Sequence, residues 1–163
     1  MSRQVLSTQA FQERPALNVW VTLLRAHAAL TRELSADLVN THGLTINDYE
    51  VLLHLARADA NRLRRVDLAE RLLLTASGIT RLLDGLERGG YVRKEHCESD
   101  GRVSYAVLTD DGHAKLKDAS KTHIAGIREL FEARFEEVEL QTLADLLSRL
   151  PVTAGDEETC SVD

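Results

Sequence analysis

Between Thr75 and Leu108 the apolar period of this chain changes from that of a helix to that of a strand, across a pair of glycines. Few folds accommodate such a change. Ile79, Leu82, Leu83 and Leu86 recur at i, i+3, i+4 and i+7, the spacing of one helical face, and Thr75 is placed to cap that helix. Gly89-Gly90 ends it. Tyr91-Val92-Arg93-Lys94-Glu95 then predicts a strand, and Val103, Tyr105 and Val107 alternate with Ser104 and Ala106 in a second. Between them Ser99-Asp100-Gly101 supplies the turn chemistry of a hairpin tip. Six of the nine glycines fall between Gly78 and Gly112, so the sharp turns of the chain are concentrated here. A short helix over 67–73, with Leu68, Ala69 and Leu72 as its apolar positions, precedes Thr75. Two short helices joined by a tight turn make a helix-turn-helix, and a hairpin directly after it makes a winged helix.

The flanks are longer than a winged helix needs. Pro15 suits a first helical turn, and Leu17, Trp20, Leu24, His27, Leu30, Leu34 and Leu38 then form one apolar stripe ending near His42-Gly43. Thr45 caps a second helix with Ile46, Tyr49, Leu52, Leu53 and Ala56 as its buried face. An arginine-rich polar stretch, 57–65, separates it from the helix-turn-helix. After the hairpin, Thr109-Asp110-Asp111 caps and negatively charges a further long helix. Its stripe runs His113, Leu116, Ser120, His123, Ile127 and Leu130, flanked by Ile124, Phe131 and Phe135. A last helix carries Val138, Leu143, Leu146, Leu147 and Leu150 before Pro151. The expected fold is mostly α: a winged helix-turn-helix with a two-stranded β wing and long terminal dimerisation helices. The chain divides into a flexible arm (1–14), a dimerisation helix (15–43), a winged helix-turn-helix DNA-binding lobe (44–108), dimerisation helices (109–150) and an acidic disordered tail (151–163). The central lobe is too small to cover three long apolar stripes, and a twofold pairing with a second copy is the economical way to bury them.

Charge and cysteine content narrow the setting. The net charge is −6, yet residues 57–102 hold ten Lys or Arg against eight Asp or Glu, a balance of +2 that leaves −8 for the flanks. A mildly basic centre on an acidic frame fits a module that reads a particular sequence better than an indiscriminate polyanion binder. No apolar run approaches the roughly 20 residues that cross a bilayer, and Met1-Ser2-Arg3-Gln4 leads into no signal core. Cys97 and Cys160 form neither a disulfide framework nor a Cys-x-x-Cys pair. A cytoplasmic protein without membrane contact is expected. Gly-x-Ser-x-Gly elbows, phosphate-cradling glycine loops and zinc-type His spacings are all missing from the sequence, so neither catalysis nor a metal site is expected.

Taken in order, these residues resemble the MarR (multiple antibiotic resistance regulator) family of bacterial transcription factors over about residues 15–150. The resemblance rests on Leu68-Ala69-Glu70-Arg71-Leu72, on Thr75-Ala76-Ser77-Gly78-Ile79-Thr80-Arg81-Leu82-Leu83-Asp84-Gly85-Leu86-Glu87, and on Gly90-Tyr91-Val92-Arg93. Asp100-Gly101-Arg102 and Leu108-Thr109-Asp110-Asp111-Gly112 complete it. It implies a homodimer on a pseudo-palindromic operator, double-stranded DNA as partner, repression, and release of DNA by a small-molecule effector of unknown identity, with no cofactor. Ala76 and Gly85 stand where many relatives carry basic residues, and Val66 where a Ser or Thr often caps. A reactive cysteine near the start of the first helix, usual in peroxide-sensing relatives, is lacking, which leaves Cys97 a small wing residue.

With Ile79, Leu82, Leu83 and Leu86 inward, the opposite face of that helix offers Ala76, Ser77, Thr80, Arg81 and Asp84. Thr75, Ser77, Thr80 and Arg81 are the candidate recognition-helix residues, Arg81 suited to a bidentate guanine contact. In the wing, Asp100, Gly101 and Arg102 are the candidates. The arginine would enter a narrow minor groove, and the resemblance implies that the Asp100 carboxylate orients it. Arg64, Arg65, Arg93 and Lys94, with Arg62, are candidate phosphate contacts, although a charge run of this kind is also what a solvated surface carries. Trp20, His27, Tyr49 and Leu53 are candidates for lining an effector pocket, as in many relatives. Satisfied interface positions are the plainer fate of His27, His113 and His123. A winged-helix protein-interaction module that has lost specific DNA binding is the competing function, favoured by Ala76, Gly85 and the acidic total charge.

Overall fold

Three threonines set where helices begin. The computed structural model describes residues 14–96 and 103–151. The expected arm, most of the acidic tail, Cys97 and the wing tip at Asp100, Gly101 and Arg102 lie outside the described residues. Helix α1 (Pro15–His42) ends on Gly43, whose φ of 68° is left-handed, and its amide returns to the Val39 carbonyl. Thr45 then caps α2 (Ile46–Arg57) with a full capping box to Asp48. Helix α3 (Arg65–Arg71) and α4 (Ala76–Arg88) form the helix-turn-helix, and Thr75 Oγ1 accepts from the Gly78 amide to cap the second. Thr109 does the same, through Gly112, for α5 (Asp110–Glu132). Helix α6 (Glu137–Leu147) closes the described chain.

The sheet has three strands, not two. β2 (Val92–His96) and β3 (Ser104–Leu108) make the expected hairpin, and β1 (Arg62–Arg64) pairs with the far side of β3, all antiparallel. Arg62-Leu63-Arg64 has the strand period, with Leu63 alone packed toward the core. Three residues are too short for that alternation to stand out of an arginine-rich stretch. The first helix of the motif likewise starts at Arg65 rather than Asp67, because β1 runs straight into it. Val66 therefore falls inside α3, and α3 has no side-chain cap.

Helix α2 is the hub. Val51, Leu52 and Leu55 are fully buried, and Tyr49 and His54 are nearly so. The expected face of Ile46, Leu53 and Ala56 is only partly covered. Neighbours surround α2 on several sides (α1, α4, α5 and the sheet), so a one-sided stripe understates its burial. Around it Leu38, Leu68, Ile79, Leu83, Leu86, Val92, Leu108 and Leu116 complete one core.

The second junction is tighter. Thr109 Oγ1 donates to the Gly90 carbonyl at 2.7 Å while accepting from the Gly112 amide at 3.0 Å, and the Thr109 amide donates to the Tyr91 carbonyl. A Cβ on Gly112 would lie inside the shell of the Tyr91 carbonyl oxygen and 2.6 Å from Leu108 Cδ1. Backbone cannot yield there as a flexible side chain can. Gly112→Ala should therefore lower unfolding stability by about 1–3 kcal/mol, the range for overpacking a filled core. Urea denaturation of the two proteins checks this, and equal midpoints would mean that the junction relaxes freely.

Candidate nucleic-acid interface

Helix α4 buries Ile79, Leu83 and Leu86, half-buries Leu82, and turns Ser77 and Arg81 to solvent. Its polar side chains do different work. Thr75 is the cap, and its hydroxyl also meets Ser77 Oγ at 3.2 Å. Thr80 donates its hydroxyl hydrogen to the Ala76 carbonyl at 2.7 Å, within the helix. That leaves its lone pairs facing Arg65, whose Nη1 donates to Thr80 Oγ1 at 3.4 Å. Arg81 is exposed and has no carboxylate partner among the described residues. Gly85, one turn further along the same face, borders open space.

The basic candidates sort by partner. Arg64 makes a two-point pair with Asp67, at 2.8 and 2.7 Å, and that hydrogen bonding raises its pKa above the ordinary value. Lys94, on β2, binds Asp84 at 2.6 Å and Glu87 at 2.8 Å. It thereby straps the base of the wing to α4. The hydrogen bond from Lys94 holds the Asp84 carboxyl below its usual range, and the bonds from Asp84 and Glu87 raise the pKa of Lys94 in turn. Arg93 pairs with Glu95 on the outer face of the sheet. Arg62 lies 3.8 Å from the same carboxylate and stacks over Tyr105, 5.1 Å from the ring centre. Arg65 and Arg81 differ from these four: among the described residues neither is matched to a carboxylate.

The four pocket candidates do not converge. His27 lines an open groove of about 700 Å³ along α1, with Thr31, Arg32, Ser35, Asn40 and Ile46. Trp20 is 57% exposed nearer the start of α1. Tyr49 and Leu53 belong to the core instead. The Tyr49 hydroxyl meets Ser120 Oγ at 3.2 Å, and its ring leans on His123 with centroids 4.6 Å apart. No group of three metal-ligating side chains gathers among the described residues, and no helix there is long and apolar enough to cross a membrane.

A sequence profile of the MarR family matches residues 42–103, the span from the end of α1 into the wing. The chain is 34% identical over 113 residues to the transcriptional repressor YetL of Bacillus subtilis, covering 68% of each. Among solved structures it resembles AbsC, a MarR family transcriptional regulator from Streptomyces coelicolor, at 32% identity and a TM-score of 0.71. That match covers 90% of this chain and 93% of AbsC. The chain belongs to the MarR family. Its members are DNA-binding transcriptional regulators, and the structure of Sco3205, from the same organism and in complex with DNA, is also similar. There the identity is 29%, the TM-score 0.72, and the coverage 80% of this chain and 81% of the other. The winged helix of the family is thus present here with its sheet and helix-turn-helix assembled, and in this chain Lys94 straps the two together. Sequence alone did not disclose the strap, because Lys94 and Asp84 lie ten positions apart on elements whose relative placement only the fold supplies.

The joint between α2 and α5 in this MarR-family chain holds one polar atom without a partner. His123 Nδ1 is buried and makes no hydrogen bond, and burial depresses the His123 pKa below its ordinary 6.5. The unfolded chain therefore takes up the proton first as pH falls. Stability from a neutral His123 is full above about pH 6.5 and declines below it. The urea midpoint should fall between about pH 7.5 and about pH 5.5, and His123→Phe should reduce that fall. An identical pH profile for the two proteins would remove His123 from the balance.

Proposed function

We propose that this MarR-family chain is a ligand-responsive repressor that binds a pseudo-palindromic operator as a homodimer. The observation that carries the DNA contact is the outward face of α4, where Arg81 stands exposed and without a carboxylate partner among the described residues. A helix entering the major groove reads base edges with residues near its amino end, and Arg81 lies in the second turn of α4 with Ser77 one turn before it. Arg102 of the wing, oriented by Asp100 beside Gly101, takes the adjacent minor groove in this reading. An effector, with His27 among its contacts, is taken up beside α1. The dimer reading is supported by apolar side chains that the single chain leaves uncovered. Leu17, Trp20 and Leu24 on α1, and Val138, Leu146 and Leu147 on α6, are all exposed, Val138 by 76%. No residue of α6 is buried, and an amphipathic helix without a partner has no reason to persist.

Arg81→Ala should cost about 1–3 kcal/mol against the preferred duplex and relax discrimination at one base pair per half-site. Fluorescence anisotropy against matched and mismatched duplexes measures both. A loss that is equal for all sequences would place Arg81 on phosphate, and no loss would remove α4 from the major groove. Leu146→Asp with Leu147→Asp should give monomers by light scattering, since each carboxylate would enter the apolar seam unpaired. A persisting dimer would put the interface elsewhere.

A further inference from the structure

Between α4 and the inner face of the sheet lies a cleft of about 270 Å³, floored by Leu83 and lined by Arg65, Thr80, Lys94, His96, Ser104 and Tyr105. Arg65, His96 and Ser104 bring hydrogen-bond donors to it, and no carboxylate lines the cleft. Strand alternation explains three of the seven. Lys94, His96 and Ser104 share the sheet face that carries Val92 and Ala106, because Lys94 pairs with Ala106 and His96 with Ser104 in the register. The strap then uses up the charge of Lys94, on Asp84 and Glu87 outside the lining. Arg65 remains as the cation whose hydrogen bond goes to a neutral group, the Thr80 hydroxyl that has given its own hydrogen to the Ala76 carbonyl. Its charge only reaches the Asp84 carboxylate, without forming an ion pair among the described residues.

We infer that this cleft seats one backbone phosphate of the bound duplex, with Arg65 as its charged ligand. The inference rests on the DNA-binding reading above and adds a position to it. A recognition helix in the major groove and a wing in the neighbouring minor groove must straddle the sugar-phosphate strand that divides the two grooves. The cleft lies between those two elements. A phosphate there meets donors on Arg65, His96 and Ser104 and no carboxylate, which suits an acceptor-only ligand. Thr80 acts by holding the guanidinium, and the strap by keeping the wing at the width of one strand. Arg64, Arg93 and Lys94, already matched to carboxylates, add little to counterion release.

The test uses a duplex that the full-length protein selects from a random pool, with single methylphosphonates placed along each strand. For the parent, neutralising one particular phosphate per half-site should weaken binding by about tenfold. Arg65→Ala should weaken the unmodified duplex comparably and be indifferent to that methylphosphonate. It should also flatten the salt slope by about 0.9 for each protein copy. Arg65→Lys should retain the slope, which separates loss of charge from loss of fold. Base preference at the Arg81 position should be unchanged in both variants. An Arg65→Ala protein with the parent's slope and the parent's methylphosphonate profile overturns the phosphate seat and leaves the DNA-binding reading standing. A parent that selects no duplex overturns both.

Discussion

A single hydroxyl, that of Thr109, ties the reading end of the molecule to its long helices. It spans the Gly90 carbonyl and the Gly112 amide, so the turn leaving α4 and the first turn of α5 share one atom. Gly112 lets the two backbones meet where a side chain would hold them apart. Everything beyond that point inherits its direction from it: α5 packs along α1 and α2, and α6 follows α5. The N-cap role of Thr109 and its tertiary bond are made by the same oxygen. The start of α5 cannot shift without releasing the turn before β2.

The interface is governed by local charge matching more than by net charge. An acidic chain of −6 presents a surface on which four of the six basic candidates among the described residues are already held by carboxylates. Exposed pairs of this kind contribute little to stability, typically below about 1 kcal/mol each. Their effect is geometric: Lys94 fixes the wing against α4, Arg64 fixes the start of α3, and Glu95 gathers the outer row of the sheet. Among the described candidates only the guanidiniums of Arg65 and Arg81 remain without an ion pair, and a narrow set of unmatched charges favours discrimination over general attraction to polyanions.

Much of this was legible in the residues. Thr45, Thr75 and Thr109 each cap the helix expected of them, because capping depends on residues within one turn and needs no tertiary context. The helix-turn-helix, the hairpin and the order of elements followed from period changes over many positions. β1 escaped because three residues carry too little alternation, and the burial of Val51, Leu55 and His54 escaped because α2 is enclosed on several sides. At the interface the outward set of α4 was legible from its inward one. The partners of Arg64, Arg93 and Lys94 were not, since like-looking arginines differ only in which carboxylate the fold brings near. Tyr49 and Leu53 as members of the core, rather than of a pocket with Trp20 and His27, belong to the same class of long-range fact.

Gly85 bears on Arg81 in a way that its own contacts do not reveal. With open space where a side chain would stand, the next turn of α4 offers nothing to brace the guanidinium, and no carboxylate among the described residues does so either. Arg81 thus keeps its rotamers until something outside the chain removes them, a freedom worth up to about 2 kcal/mol for such a side chain. Ordering it is an entropic cost assigned to the moment of complex formation instead of to folding. A recognition helix built this way gives up some affinity at each encounter. In the proposed reading Arg81 then arrives uncommitted, able to settle on the base edge that holds it best.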